Sequence, residues 1–135
     1  MSEKTTVLFV CVHNAGRSQM AAGYLKQLAG DRVSVLSAGT DPGVEVNPVA
    51  AEVMLEEGID LSSAKPEKLS DEKVIASDYV ITMGCGDACP FFPGKTYLDW
   101  QLDDPKGQSV EKVREIRDDI KARVLDLIEE ITASA

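Results

Sequence analysis

The run Val7, Leu8, Phe9, Val10 constrains this chain more than any other stretch, because it is short, β-prone and offers no polar side chain to water. A strand of this kind is buried on both faces. A sheet built on it needs cover above and below, and the rest of the sequence supplies helices for that purpose. From Ser18 to Ala29 the pattern turns helical, with Met20, Ala21, Tyr24, Leu25 and Leu28 on one face and Gly30 as the stop. Val33, Val35 and Leu36 predict a second strand, ended by Ala38-Gly39. Asn47-Pro48 is a helix start, Asn as cap and Pro at the first helical position, for a helix through Ala51, Val53, Met54 and Leu55 that stops at Gly58. A short helix is expected after Ser70, a third strand over Asp78–Thr82 and a fourth over Thr96–Trp100. The last segment repeats apolar residues at three- and four-residue steps, from Val110 through Val113, Ile116, Ile120, Val124 and Leu127 to Ile131, with Ser109 as its cap. Such alternation predicts an α/β fold: an open, four-stranded parallel sheet with helices on both faces, in three layers.

The length, 135 residues, suits one domain spanning 1–135 with a single substantial core. At 44% hydrophobic and 27% charged, the chain reads as globular. Its net charge of −9 argues against nucleic acid or an anionic membrane as a partner. An anion would have to bind in a locally arranged site, against the overall field. No apolar run approaches the roughly 18 residues of a membrane span, and MSEKTTVLFVCV lacks the pattern of a secretory signal. Three cysteines are too few for a disulfide scaffold. The expected location is the cytoplasm.

Ligands of open parallel sheets bind beyond the carboxyl ends of the strands. Three unusual segments are expected there: Cys11–Ser18, Gly84–Pro90 and Leu102–Pro105. The first reads CVHNAGRS. Between a strand and a helix, the backbone N–H groups of Val12, His13, Asn14, Ala15 and Gly16 can curl into an anion nest. The amino end of the next helix favours the same charge. Arg17 offers a planar fork for two oxygens of a tetrahedral oxyanion. These positive features favour the thiolate form of Cys11 and make it a nucleophile. Asn14 suits the unusual backbone angles of such a loop, and Ser18 is placed to donate a hydrogen bond to the thiolate. His13, the one histidine, reads as a partly exposed loop residue that also tunes local charge.

In the second segment Cys85 and Cys89 are four apart. On a helical turn their Cβ atoms would lie about 5–6 Å apart, further than the roughly 3.8 Å of a disulfide. Gly84, Gly86 and Pro90 make the segment easy to deform. A redox pair, two structural thiols and half of a zinc site all remain open from the residues, although Cys11 and His13 supply no second closely spaced pair for zinc. In the third segment Pro105 biases Asp104 toward an extended conformation. A carboxyl held there suits a general acid.

Taken together, CVHNAGRSQMA, LSAGT, VNPVA, LDDPKGQ and the final helix resemble the arsenate reductases built on the low-molecular-weight tyrosine phosphatase fold, over essentially the whole chain. The resemblance implies a four-stranded parallel sheet flanked by helices. It implies that Cys11 attacks arsenate, that Arg17 and the loop amides bind it, and that Asp104 is the family's aspartate before proline. By the same resemblance Cys85 attacks the Cys11 sulfur to release arsenite, and Cys89 then forms a Cys85–Cys89 disulfide for thioredoxin to reduce. Phosphate and sulfate would compete as oxyanions. No cofactor and no metal is expected: Ala22 stands where some members carry an acidic residue for a structural cation. His13 stands where glycine is usual, and the two late cysteines are closer than in well-known thioredoxin-coupled members. Some relatives use mycothiol or another small thiol in place of the internal relay. The alternative activity is a phosphatase acting on phosphotyrosine or small phosphomonoesters, against which DPKGQ lacks the aromatic pair those enzymes place after the aspartate. A non-catalytic oxyanion or redox sensor is the third reading.

Overall fold

The computed structural model describes residues 5–83 and 94–134. The chain runs β1 (Thr5–Cys11), α1 (Arg17–Ala29), a 3-10 turn (Gly30–Arg32), β2 (Val33–Gly39), α2 (Pro48–Leu55), α3 (Asp71–Ile75), β3 (Tyr79–Thr82), β4 (Thr96–Asp99) and α4 (Val110–Ser134). The four strands form one sheet in the order β2-β1-β3-β4, with every pairing parallel. This is the expected open sheet, and the element starts and stops fall within a few residues of those read from the pattern.

Strand β1 lies between β2 and β3, and its side chains alternate between two cores. Val7, Phe9 and Cys11 join the larger core, with Met20, Leu25, Val53, Met54, Ile120 and Val124 from α1, α2 and α4. Leu8 and Val10 face the smaller one, with Ala38, Val74 and Val80. Both sets are buried, which explains why the run Val7–Val10 carries no polar residue. Trp100 follows β4 and packs against Phe9, with ring centroids 5.7 Å apart, as a core anchor.

The helix caps behave as their side chains dictate. Asn47 accepts from the N–H groups of Val49 and Ala50, Ser70 from that of Lys73 and Ser109 from that of Lys112. On the solvent side of the larger core, α4 is latched to α2 by charge. Arg117 donates to the Val53 carbonyl at 2.8 Å and to Glu56 at 2.8 Å, while Arg114 grips Glu56 through both Nε and Nη2. Hydrogen bonds from Arg114 and then Arg117 pull the Glu56 carboxyl down to about 2. Glu57 accepts from Lys121 and from the buried Tyr24 hydroxyl, each at 3.1 Å. Those two bonds, Lys121 first, hold the Glu57 carboxyl below its ordinary range. Among the described residues no helix is long and apolar enough to cross a membrane.

The parallel register brings the carboxyl ends of the strands to one edge. Cys11 sits opposite Gly39, and Val10 opposite Thr82. Whatever follows each strand therefore starts from the same rim.

Candidate active site

The loop between β1 and α1 is held from outside by the segment that follows β2. Thr40, Asp41, Gly43 and Asn47 donate backbone N–H groups to the carbonyls of Cys11, Val12, His13 and Ala15, at 3.3, 2.7, 2.9 and 2.7 Å. Because each peptide unit is planar and trans, a carbonyl and the next N–H point in opposite directions. The N–H groups of Val12, His13, Asn14 and Gly16 are therefore turned away from the 40–47 segment, and a row of such donors is what an anion requires. The fit is close. A Cβ on Gly39 would lie 2.6 Å from the Val12 oxygen and 2.8 Å from the Asn14 nitrogen, so only glycine lets the end of β2 approach the loop.

Asn14 has φ of +51°, the one positive value outside glycine among the described residues. Its buried side chain braces that turn on several sides. Nδ2 donates to Ser18 Oγ at 2.6 Å, and Oδ1 accepts from the Glu67 N–H at 2.8 Å and from Gln19 Nε2 at 3.3 Å. Gln19 Nε2 also donates to the carbonyls of Asn14 and Lys65. Ser18 Oγ in turn lies 3.0 Å from Cys11 Sγ. Asn14 Nδ2 donates to that same oxygen, and a thiolate at Cys11, with no hydrogen of its own to give, would accept the serine hydroxyl hydrogen. A chain of contacts thus runs from the 65–67 segment to the thiol. The thiol sits at the end of a central strand and is 2% exposed.

Arg17 opens α1 and is largely buried, its side chain 9% exposed. It donates to the Leu102 carbonyl at 3.4 Å, and its Nη2 lies 3.8 Å from Asp104 Oδ2. Asp104 is half exposed, at 51%, and its Oδ1 accepts from the Lys106 N–H at 3.0 Å. Between them Pro105 is buried against the loop: a Cβ on Gly16 would meet its Cγ at 2.6 Å. Proline therefore seats the aspartate against the loop as well as restricting its backbone.

Cys11, His13, Ala15, Arg17, Asp104 and Lys106 line a cavity of about 380 Å³, with the 41–47 segment closing one side. Of the three segments expected at this rim, the first and third meet. The second, with Cys85 and Cys89, lies outside the described residues. Among the described residues no three histidine, cysteine or acidic side chains gather to hold a metal ion. Sequence reading missed Gln19, the 40–47 segment and Lys106 as parts of the site. Gln19 stands inside the quoted signature, which was its only signal; the backbone donors of 40–47 carry none.

A parallel α/β sheet whose central strand ends in a cysteine, followed by a loop that closes on an arginine at the first turn of a helix, defines a class of oxyanion-handling proteins. This chain belongs to the low molecular weight phosphotyrosine protein phosphatase family, whose sequence profile matches residues 6–135. It is 40% identical over 126 residues to arsenate reductase 1 of Staphylococcus epidermidis, covering 90% of this chain and 94% of that one. It is 39% identical over 129 residues to the glutaredoxin arsenate reductase of Synechocystis, covering 93% and 98%. The solved structure of the thioredoxin-dependent arsenate reductase of Corynebacterium glutamicum superposes with a TM-score of 0.89 at 48% identity. That match covers 99% of this chain and 65% of the other, so this chain spans about two thirds of that protein's length.

Proposed function

We propose that this protein reduces arsenate to arsenite, with Cys11 as nucleophile. The observation that carries the reading is the Cys11 sulfur beside Ser18 Oγ, in a cavity it shares with Arg17 and Asp104. The reductase names of relatives over most of the chain support the substrate. In the proposed reaction the Cys11 thiolate forms a sulfur–arsenic bond and displaces one hydroxyl group of arsenate, which takes a proton from Asp104 and leaves as water. Arg17 and the loop N–H groups balance the charge of the remaining oxygens.

Cys85 then attacks the Cys11 sulfur. The sulfur–arsenic bond breaks, its electron pair stays on arsenic, and arsenite leaves as a Cys11–Cys85 disulfide forms. Attack by Cys89 frees Cys11 and leaves a Cys85–Cys89 disulfide. Two electrons pass to arsenic and one disulfide accounts for them. These two roles rest on the sequence alone. Thioredoxin is our proposed external donor, supported by the C. glutamicum relative; the Synechocystis relative is named for glutaredoxin, and turnover with each donor in turn separates the two.

The test is a free-thiol count on the fully reduced protein after arsenate is added, with no donor present. Loss of two of its three thiols, with about one arsenite per chain, is the expected result. No loss of thiols, together with hydrolysis of a phosphomonoester, would replace the reductase with a phosphatase.

A further inference from the structure

His13 occupies the middle of the anion loop, is half-buried and lines the cavity. Its Nδ1 lies 3.0 Å from the backbone carbonyl oxygen of Asp41. A carbonyl oxygen only accepts, so Nδ1 carries the hydrogen. That contact settles the chemistry of the other nitrogen. In the neutral ring Nε2 is a bare acceptor, and in the imidazolium it is a second donor. Among the described residues no hydrogen bond is made by Nε2.

The charged and titratable groups lining the same cavity are Cys11 from β1, Arg17 from α1, Asp41 from the segment after β2, and Asp104 with Lys106 from the segment after β4. The acids and bases nearly cancel, in a chain whose net charge is −9. One added positive charge at this position therefore changes the balance felt by an incoming dianion.

We propose that His13 is a substrate-binding side chain whose Nε2 holds one oxygen of the bound tetrahedral oxyanion, with Nδ1 clamped on the Asp41 carbonyl. Protonated, the ring donates to an unprotonated oxygen and adds charge; neutral, it accepts from an oxyanion hydroxyl. This deepens the oxyanion reading above and rests on it for the place of binding, but not for the reduction that follows. The ring thereby adds a side-chain hold on the anion to what the backbone nest and Arg17 provide.

Two substitutions separate the nitrogens. His13→Asn keeps an amide donor near the Nδ1 position and deletes Nε2, whereas His13→Gln carries its polar end toward the Nε2 position. The measurement is inorganic phosphate binding by calorimetry, comparing each variant with wild type at the same pH. His13→Asn is expected to bind about tenfold more weakly than wild type. His13→Gln is expected to recover part of the loss.

An asparagine variant that binds phosphate as wild type does overturns the proposal and leaves the ring as a tie between loops. So does an equal loss in both variants, because that reports damaged loop geometry. The expected order of phosphate binding among wild type and the two variants, without arsenate reduction, would remove the reductase and leave this proposal standing.

Discussion

Two polar networks join distant parts of this chain, and they are built in opposite ways. Between α2 and α4, charge meets charge: Glu56 takes Arg114 and Arg117, and Glu57 takes Lys121 and Tyr24, at 2.7–3.2 Å. At the rim, the neutral braces are equally tight, but the cation is not. Asn14, Ser18 and Gln19 hold the loop at 2.6–3.3 Å, while Arg17 reaches Asp104 only at 3.8 Å. A guanidinium that is 9% exposed and loosely paired retains donors for another anion. The helix cluster spends its charges on the fold, and the rim fixes its scaffold with neutral groups and leaves its charge for a ligand.

Breaking each network should move a different observable. The largest effect is expected from Cys11→Ser, which removes the sulfur and keeps a near-isosteric side chain beside Ser18. Arsenite formation should fall to background while phosphate still binds and the urea midpoint stays put. Residual turnover above background would place the nucleophile elsewhere.

Asn14→Ala sharpens the comparison, since it strains and unbraces the loop at once. Alanine at φ of +51° costs about 1–2 kcal/mol, and the Glu67 N–H loses its side-chain acceptor. We expect about 2–3 kcal/mol of lost stability from urea unfolding, with turnover down about 100-fold. Asn14→Gly should restore much of the stability and little of the turnover, because it relieves the backbone without replacing the brace.

Arg117→Met tests the other network. The Val53 carbonyl loses its donor and Glu56 one of its two cations. Glu56 is partly exposed and keeps Arg114, so the loss should be about 2 kcal/mol by urea midpoint. Arsenate turnover at low temperature should be unchanged. A fall in turnover without a fall in stability would couple the cluster to the rim.

The smallest effect is in acid. Glu56 is held down to about 2 in the folded chain against an ordinary value of 4.5. Its contribution is complete above about pH 4.5 and fades as pH falls toward about 2. Glu56→Gln should flatten the decline of stability in that window and leave the range above pH 5 parallel to wild type. An unchanged acid limb would assign the decline to other carboxylates, among them Glu57.

Much of this was legible because it is local. The period of the apolar residues yields β1, α1 and α4, and Asn47-Pro48, Ser70 and Ser109 announce their caps through side chains that reach the next turn. Alternation of strand and helix implies a parallel sheet, and a parallel sheet implies one functional edge. The loop chemistry of Cys11, Asn14, Arg17 and Ser18 follows from residue type and from a strand-to-helix turn.

Other features have no local signature. Gln19 at Lys65, Glu67 at Asn14 and Arg117 at Val53 are contacts between residues 46, 53 and 64 positions apart. The 40–47 segment holds the loop with backbone N–H groups, which every non-proline residue carries alike. Gly16 and Gly39 are required by neighbours from distant segments that would lie 2.6 Å from a Cβ placed there. The sequence by itself determined the elements, the rim and the setting of the Cys11 thiol, because those depend on short-range period and side-chain chemistry. The tertiary structure decided how the loop is braced, where Pro105 seats Asp104 and which nitrogen of His13 is engaged, because those depend on packing between segments that the chain order leaves far apart.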